Sequence, residues 1–264
     1  IYLFLSLPIF LIIVNTKALA TTHEHMRCVE AIDYYEKKYN LPKNLLYAIS
    51  IVESGSKNDQ HGVLLPWPWT LNISGNSHFA SSPEKALTLL RQAVNKKTQV
   101  DVGCAQINWQ HHGHHFKHNP QHIFNPVYNV AYAAHFLTNN YLETKQWPKA
   151  IAYYHSRSVE RGMNYVNKVI KIWNKINSDP KYKNIQIQNK SSIRTGKNKT
   201  NSEKNKHTTM LVYKNSKFPQ TIIKKTQTTG EELTPINAII PNNISQIKDG
   251  LANNQEQKEI PSNQ

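Results

Sequence analysis

Cysteine is nearly absent, with two among 264 residues, Cys28 and Cys104. At most one internal disulfide can form, which excludes a disulfide-dense scaffold. Acidic residues are scarce too: 17 face 32 Lys and Arg, leaving a net charge of +15. No nucleic-acid motif accompanies that charge, so it points to anionic surfaces such as cell-wall polymers or lipid headgroups. The heavy use of Lys, Asn and Ile, as an AT-rich genome produces, accounts for the charge equally well. No internal repeat is present, which excludes a solenoid. Beyond Ile176 aromatics almost vanish, and segments such as NKSSIRTGKNKTNSEKNKH cannot bury enough apolar surface to offset chain entropy. Residues 178–264 are therefore expected to be mostly disordered, with MLVYK and INAII as short docking patches.

The first twenty residues read as a secretory signal. YLFLSLPIFLIIV is apolar throughout, and Ala18-Leu19-Ala20 is a small-x-small cleavage site. Neither Met nor a basic stretch precedes that run, which reads as a truncated start. An uncleaved anchor is the other reading, and either one exports the rest of the chain. In an oxidising compartment Cys28 and Cys104 invite a disulfide, with two buried thiols as the alternative.

Residues 21–177 remain for one domain, and its pattern is mainly α-helical. CVEAIDYYEKKYN is amphipathic. The helix after Pro42 runs to Ser54 and stops at Gly55. Ser82-Pro83 and Asn125-Pro126 are cap and first-turn pairs for two more helices, and WPKAIAYYHS and GMNYVNKVIKIWNKI complete the set. Between Gln60 and Ser81, WPWTLNI and SGNSHFA alternate around a Ser-Gly-Asn turn and predict a β-hairpin. TQVDVG predicts a third short strand.

LLYAISIVESG carries one charge, Glu53, on an apolar face with Ile49 and Leu46. In one reading the helix end frays and the carboxylate reaches water. In the other it is desolvated, and the negative helix end adds to that. Its pKa then rises, and it keeps a proton for a leaving oxygen.

Around Glu53 the order of segments is ESG, DVGCAQIN, NPVYNVAYAAHFL, AIAYYHS and NYVNKVIKIW. Together they resemble the SLT-type lytic transglycosylase family, over about residues 27–176. The PWPWTLN insertion and the Tyr154-His155-Ser156 segment resemble an exported alphaproteobacterial subgroup tied to secretion and conjugation machines. The family usually carries Asn-Ala-Gly after that tyrosine, and a Leu-Met pair where Cys104 and Ala105 stand here.

The resemblance implies a goose-lysozyme-like fold with a small β-hairpin insertion, and one catalytic acid and base, Glu53. It implies substrate contacts from Ser54, from Gly103 to Gln106, from Asn108, and from Tyr154 and His155, with the Tyr154 hydroxyl aimed at Glu53 or the sugar. Trp67, Trp69 and Trp109 are divided between sugar stacking and core burial. Asn129 and the Asn125-Pro126 cap read as structural.

The implied reaction cleaves the MurNAc-GlcNAc bond of peptidoglycan and forms a 1,6-anhydro end without water. A water-using muramidase needs a second acid, for which Asp59 and Asp101 are available. A non-catalytic wall-binding assembly factor is the third reading. The expected partners are peptidoglycan strands and, through the tail, a secretion apparatus; no nucleic acid is expected, and the chain reads as a monomer. HHGHHFKHNPQH offers His114/His118 and His118/His122 at i,i+4, but Gly113 and Asn119-Pro120 break the helix, so the segment reads as a solvated loop. No metal and no cofactor are expected.

Overall fold

A computed structural model describes residues 16–116 and 118–186, with side chains placed from residue 23. Most of the expected leader, and residues 187–264 of the expected tail, lie outside that range. Helix α1 (Thr16–Lys38) begins within the leader and buries Cys28, Ala31, Ile32 and Tyr35 on one face.

Helix α2 (Leu45–Ser54) is buried nearly all round, which suits its apolar sequence, and Glu53 is its one charged residue. It ends where expected. A Cβ at Gly55 would meet Ile51 O at 2.4 Å, so only glycine lets the chain leave there.

The chain then makes a hairpin, β1 (Gly55–Asn58) with β2 (Val63–Pro66). Sequence alternation does not show it, because GSKN has no apolar face. The expected hairpin follows, β3 (Thr70–Ile73) with β4 (Asn76–Phe79), turning at Ser74 and Gly75 with positive φ at both. The expected third strand, β5 (Val100–Val102), pairs with β3, and β6 (Ile107–Asn108) extends the antiparallel sheet in the order β4-β3-β5-β6.

The helix caps hold as read. Ser82 Oγ accepts from Lys85 N at the start of α3 (Pro83–Asn95). Asn125 Oδ1 accepts from Val127 N at the start of α5 (Pro126–Thr144). Each such cap contributes about 1 kcal/mol. Between them lie the short α4 (Trp109–His112) and two 3₁₀ turns, Gly113–Phe116 and Pro120–Phe124. Helices α6 (Trp147–His155) and α7 (Val159–Ser178) finish the bundle: α5, α6 and α7 pack in succession, α7 on α2, and α5 on α1.

Packing extends past residue 177, where the domain was expected to end. Residues 180–186 are helical, and they bury Tyr182 and Ile185. Those two apolar residues, three apart, were masked by the polar composition around them. Among the described residues no helix is long and apolar enough to cross a membrane.

Cys28 and Cys104 are joined, which pins the turn after β5 to α1. The loop they close spans 76 residues, and constraining it in the unfolded chain is worth roughly 4 kcal/mol.

Candidate active site

Glu53 occupies the last turn of α2, where its carboxyl meets α7. Tyr165, buried on α7, donates its hydroxyl to Glu53 Oε1 at 2.5 Å. Among the described residues no hydrogen bond holds Oε2. Desolvation is the main cause that raises the Glu53 pKa to about 8, and the Asp101 charge adds to it; the Tyr165 hydrogen bond and the Lys168 charge oppose the rise. The residue still keeps partial solvent exposure. A carboxyl in that setting holds its proton at neutral pH and remains within reach of a ligand.

The resemblance aims the Tyr154 hydroxyl at Glu53 or the sugar, and of these the contact with Glu53 belongs to Tyr165. Tyr154 Oη donates instead to Ala105 O at 2.9 Å. Tyr165 lies 112 residues from Glu53, and only its place in the quoted NYVNKVIKIW segment hinted at a role. His155 stacks on the Tyr165 ring with centroids 4.6 Å apart and planes 7° from parallel. It is exposed at the rim. Desolvation on its packed side and the Lys168 charge lower its pKa, so the ring is neutral near pH 7.

The turn from Gly103 to Gln106 is built by one buried amide. Asn129 Nδ2 donates to Val102 O and Ile123 O, each at 2.9 Å, and Asn129 Oδ1 accepts from Ala105 N at 2.9 Å. This is the structural role expected of Asn129. Gly103 is required beside it: φ is +88°, and a Cβ would meet Asn129 Nδ2 at 2.3 Å. Gln106 sits at φ +46° and folds its amide back onto Thr70 O and Gly103 O. Its side chain therefore shapes the turn from inside.

Ser54 is placed differently from a sugar contact. It is 1% exposed, and its hydroxyl donates to Cys104 O at 2.6 Å and Ser50 O at 3.2 Å. It ties the end of α2 to the 103–106 turn. Of the two readings held for Trp67 and Trp69, the structure takes core burial, because both are buried. Their rings meet edge to face at 5.1 Å, and Trp67 Nε1 donates to Ala80 O, which leaves no open face for a sugar. Trp109 is half-buried, with its ring against Gly113. Asn108 donates to Asp101 Oδ1 at 2.8 Å and caps α4 through His111 N.

The histidine segment lines the outside of the same region. His112 is in a hydrogen bond with the Tyr132 hydroxyl at 2.9 Å, and burial lowers its pKa to about 4. His122 lies flat on Tyr128, and Asn119 Nδ2 donates to its Nε2. Among the described residues no three metal-ligating side chains converge.

Over residues 30–174, more than half of the chain, the match is to the transglycosylase SLT domain. The chain belongs to that family. Its members are peptidoglycan lytic transglycosylases, and the helical lysozyme-like fold described above is the SLT fold. Comparison with curated proteins and with solved structures gave no match. Within the SLT domain, then, a desolvated carboxyl ends the central helix, with a tyrosine hydroxyl on one oxygen and a rigid backbone turn beside it.

Proposed function

We propose that the protein cleaves the MurNAc-GlcNAc bond of peptidoglycan, with Glu53 as its one acid and base. The observation that carries this reading is Glu53, its carboxyl raised to about 8 and held by Tyr165, in a residue that keeps partial exposure within an SLT domain. In the first step Glu53 gives its proton to the glycosidic oxygen while the bond from that oxygen to C1 breaks. The muramyl 6-hydroxyl then attacks C1 and returns its proton to Glu53. The product carries a 1,6-anhydro end, and no water is consumed. Because the nucleophile belongs to the same sugar, the step gains from proximity. Gly103 to Gln106, Asn108 and His155 border the cleft in this reading, while Ser54, Trp67 and Trp69 act through the framework.

Peptidoglycan lies outside the cytoplasmic membrane, which agrees with an exported chain carrying residues 1–20 as its leader. The PWPWTLN insertion and Tyr154-His155-Ser156 support a place in the secretion-associated subgroup. Residues 187–264 would then recruit the apparatus. Chemistry of this kind uses no metal, so a chelator should leave the rate unchanged.

A muramidase that uses water is the second reading, favoured by the Asp101 charge felt at Glu53. Mass spectrometry of digested, purified peptidoglycan decides between the two, because hydrolysed ends are heavier by one water. A run with Glu53→Gln beside it tests the acid. Full activity in that variant would refute the assignment, and wild-type binding without cleavage would leave a wall-binding factor.

A further inference from the structure

Strand β5 alternates sides: Val100 and Val102 enter the core, and Asp101 takes the other face. The register carries that face across the sheet, since Asn72 of β3 and Asn108 of β6 are the direct partners of Asp101. Asn108 Nδ2 donates to Asp101 Oδ1 at 2.8 Å, and Asn72 Oδ1 accepts from Gly75 N. One half-buried carboxylate thus stands between two amides on the open face of the sheet.

Several contacts bring that row to Glu53. Ser54, the next residue after Glu53, is bonded to Cys104 O, and three extended residues from Cys104 back to Asp101 span about 10 Å at most. Tyr154, held at Ala105 O, feels the charges of both Glu53 and Asp101. His155 stacks on Tyr165, the donor to Glu53, and Asp101 acts on that imidazole as well. Asp59, the other acid near these motifs in sequence, leaves 86% of its side chain exposed and pairs with Lys57.

We propose that Asp101 is a second working carboxylate of the cleft, an anion on the sheet side that stabilises the positive charge developing on the sugar while Glu53 supplies the proton. This rests on the reading of Glu53 as the acid. The two groups are separated by their partners. Desolvation is the main cause that raises the Asp101 pKa above its usual value, and the amide hydrogen bond from Asn108 opposes that rise and favours the charged form. Glu53, at the negative end of α2, is held neutral. Asp101 forms no bond in the step: the proton passes from Glu53 to the glycosidic oxygen, and the electron pair of the broken bond leaves with that oxygen.

The test is a set of pH-rate profiles on purified peptidoglycan for the full chain, Asp101→Asn, Asp101→Glu and Glu53→Gln. Asparagine keeps the shape and the oxygen that accepts from Asn108. We expect kcat to fall about 100-fold in Asp101→Asn, with KM little changed. Its alkaline limb should move to lower pH, because Glu53 loses a neighbouring negative charge. Tyr165, Arg161 and Lys168 on α7, Tyr154 and His155 on α6 and His111 on α4 remain in every variant, so the movement reports Asp101. Asp101→Glu should be slow but keep the wild-type limb, since the charge stays and its position shifts. An unmoved limb in Asp101→Asn overturns the proposal, whatever happens to the rate. If that variant does not fold, a wild-type rate in Asp101→Glu overturns it. Inactive Glu53→Gln beside an unaffected Asp101→Asn refutes Asp101 alone. Active Glu53→Gln refutes the acid, and Asp101 with it.

Discussion

The two ends of α2 carry the same kind of residue to different ends. At its N-terminus Glu36, from α1, is buried with its pKa raised to about 7. At its C-terminus Glu53 is raised to about 8. Burial is the leading cause for both, so a raised carboxyl by itself does not mark an acid catalyst. Their partners separate them. Glu36 uses both oxygens on backbone, accepting from Asn44 N at 3.0 Å and Tyr47 N at 3.1 Å. It caps the helix from outside, at the end where the dipole favours an anion. Glu53 stands at the unfavourable end, bound through one oxygen and partly exposed as a residue. A small pocket lies beside Glu36, among Val29, Ile32, Asn44 and Gln186, at the end of α2 away from the chemistry proposed for Glu53.

Glutamine at each end should give opposite results. Glu53→Gln removes the proton and should lower kcat by about 10² to 10⁴ or more. It also removes the cost of ionising a buried acid, so its melting temperature at pH 8 should rise. Glu36→Gln should leave kcat near wild type. Its amide turns a donor toward a backbone N–H, and one unmet buried group costs about 1–3 kcal/mol. A stable Glu36→Gln with lost activity would erase the distinction between the two ends.

Both glutamates carry the same sequence signal, and only Glu53 stands out by it. Glu53 stands four residues after Ile49, and Glu36 stands four after Ile32. In YYEKKYN, however, Glu36 sits among charged neighbours and passes for a solvated face. What buries it is the docking of α2, a contact with no local trace. Tyr165 is hidden for the same reason. By contrast the Ser82 and Asn125 caps, the Ser74-Gly75 turn and the Gly55 stop were legible, because each is satisfied within a few residues of itself. Trp67 and Trp69 show the converse limit: aromatic identity says a ring will be covered, without saying whether protein or sugar covers it.

The next effect acts on the Glu53 end alone. Reduction of Cys28–Cys104 frees the 103–106 turn from α1 and should cost up to roughly 4 kcal/mol of stability. Below the new melting temperature, the rate of the reduced protein should fall more than its Glu36-end packing loosens. Hydrogen exchange would read this as early deprotection of Ala105 N against retained protection at Tyr47 N. Uniform loosening would show that the disulfide serves the fold without favouring the site.

The smallest expected effect is the most discriminating, because its sign differs from that of a lost charge. Tyr165 lowers the Glu53 pKa by donating to its ionised form. Removing that hydroxyl in Tyr165→Phe should raise the pKa further and carry the alkaline limb of the rate to higher pH, with kcat reduced about tenfold or less. Stability follows the same logic. An acid whose folded pKa lies above its unfolded value of 4.5 binds its proton more tightly when folded. Its contribution is therefore complete below about pH 4.5 and is lost as pH rises through about 7 for Glu36 and about 8 for Glu53. In Tyr165→Phe the upper part of that decline should move to higher pH while the Glu36 part stays. Denaturant titrations from pH 5 to 9 would resolve the two, and a decline that shifts as one block would mean the ends of α2 do not titrate independently.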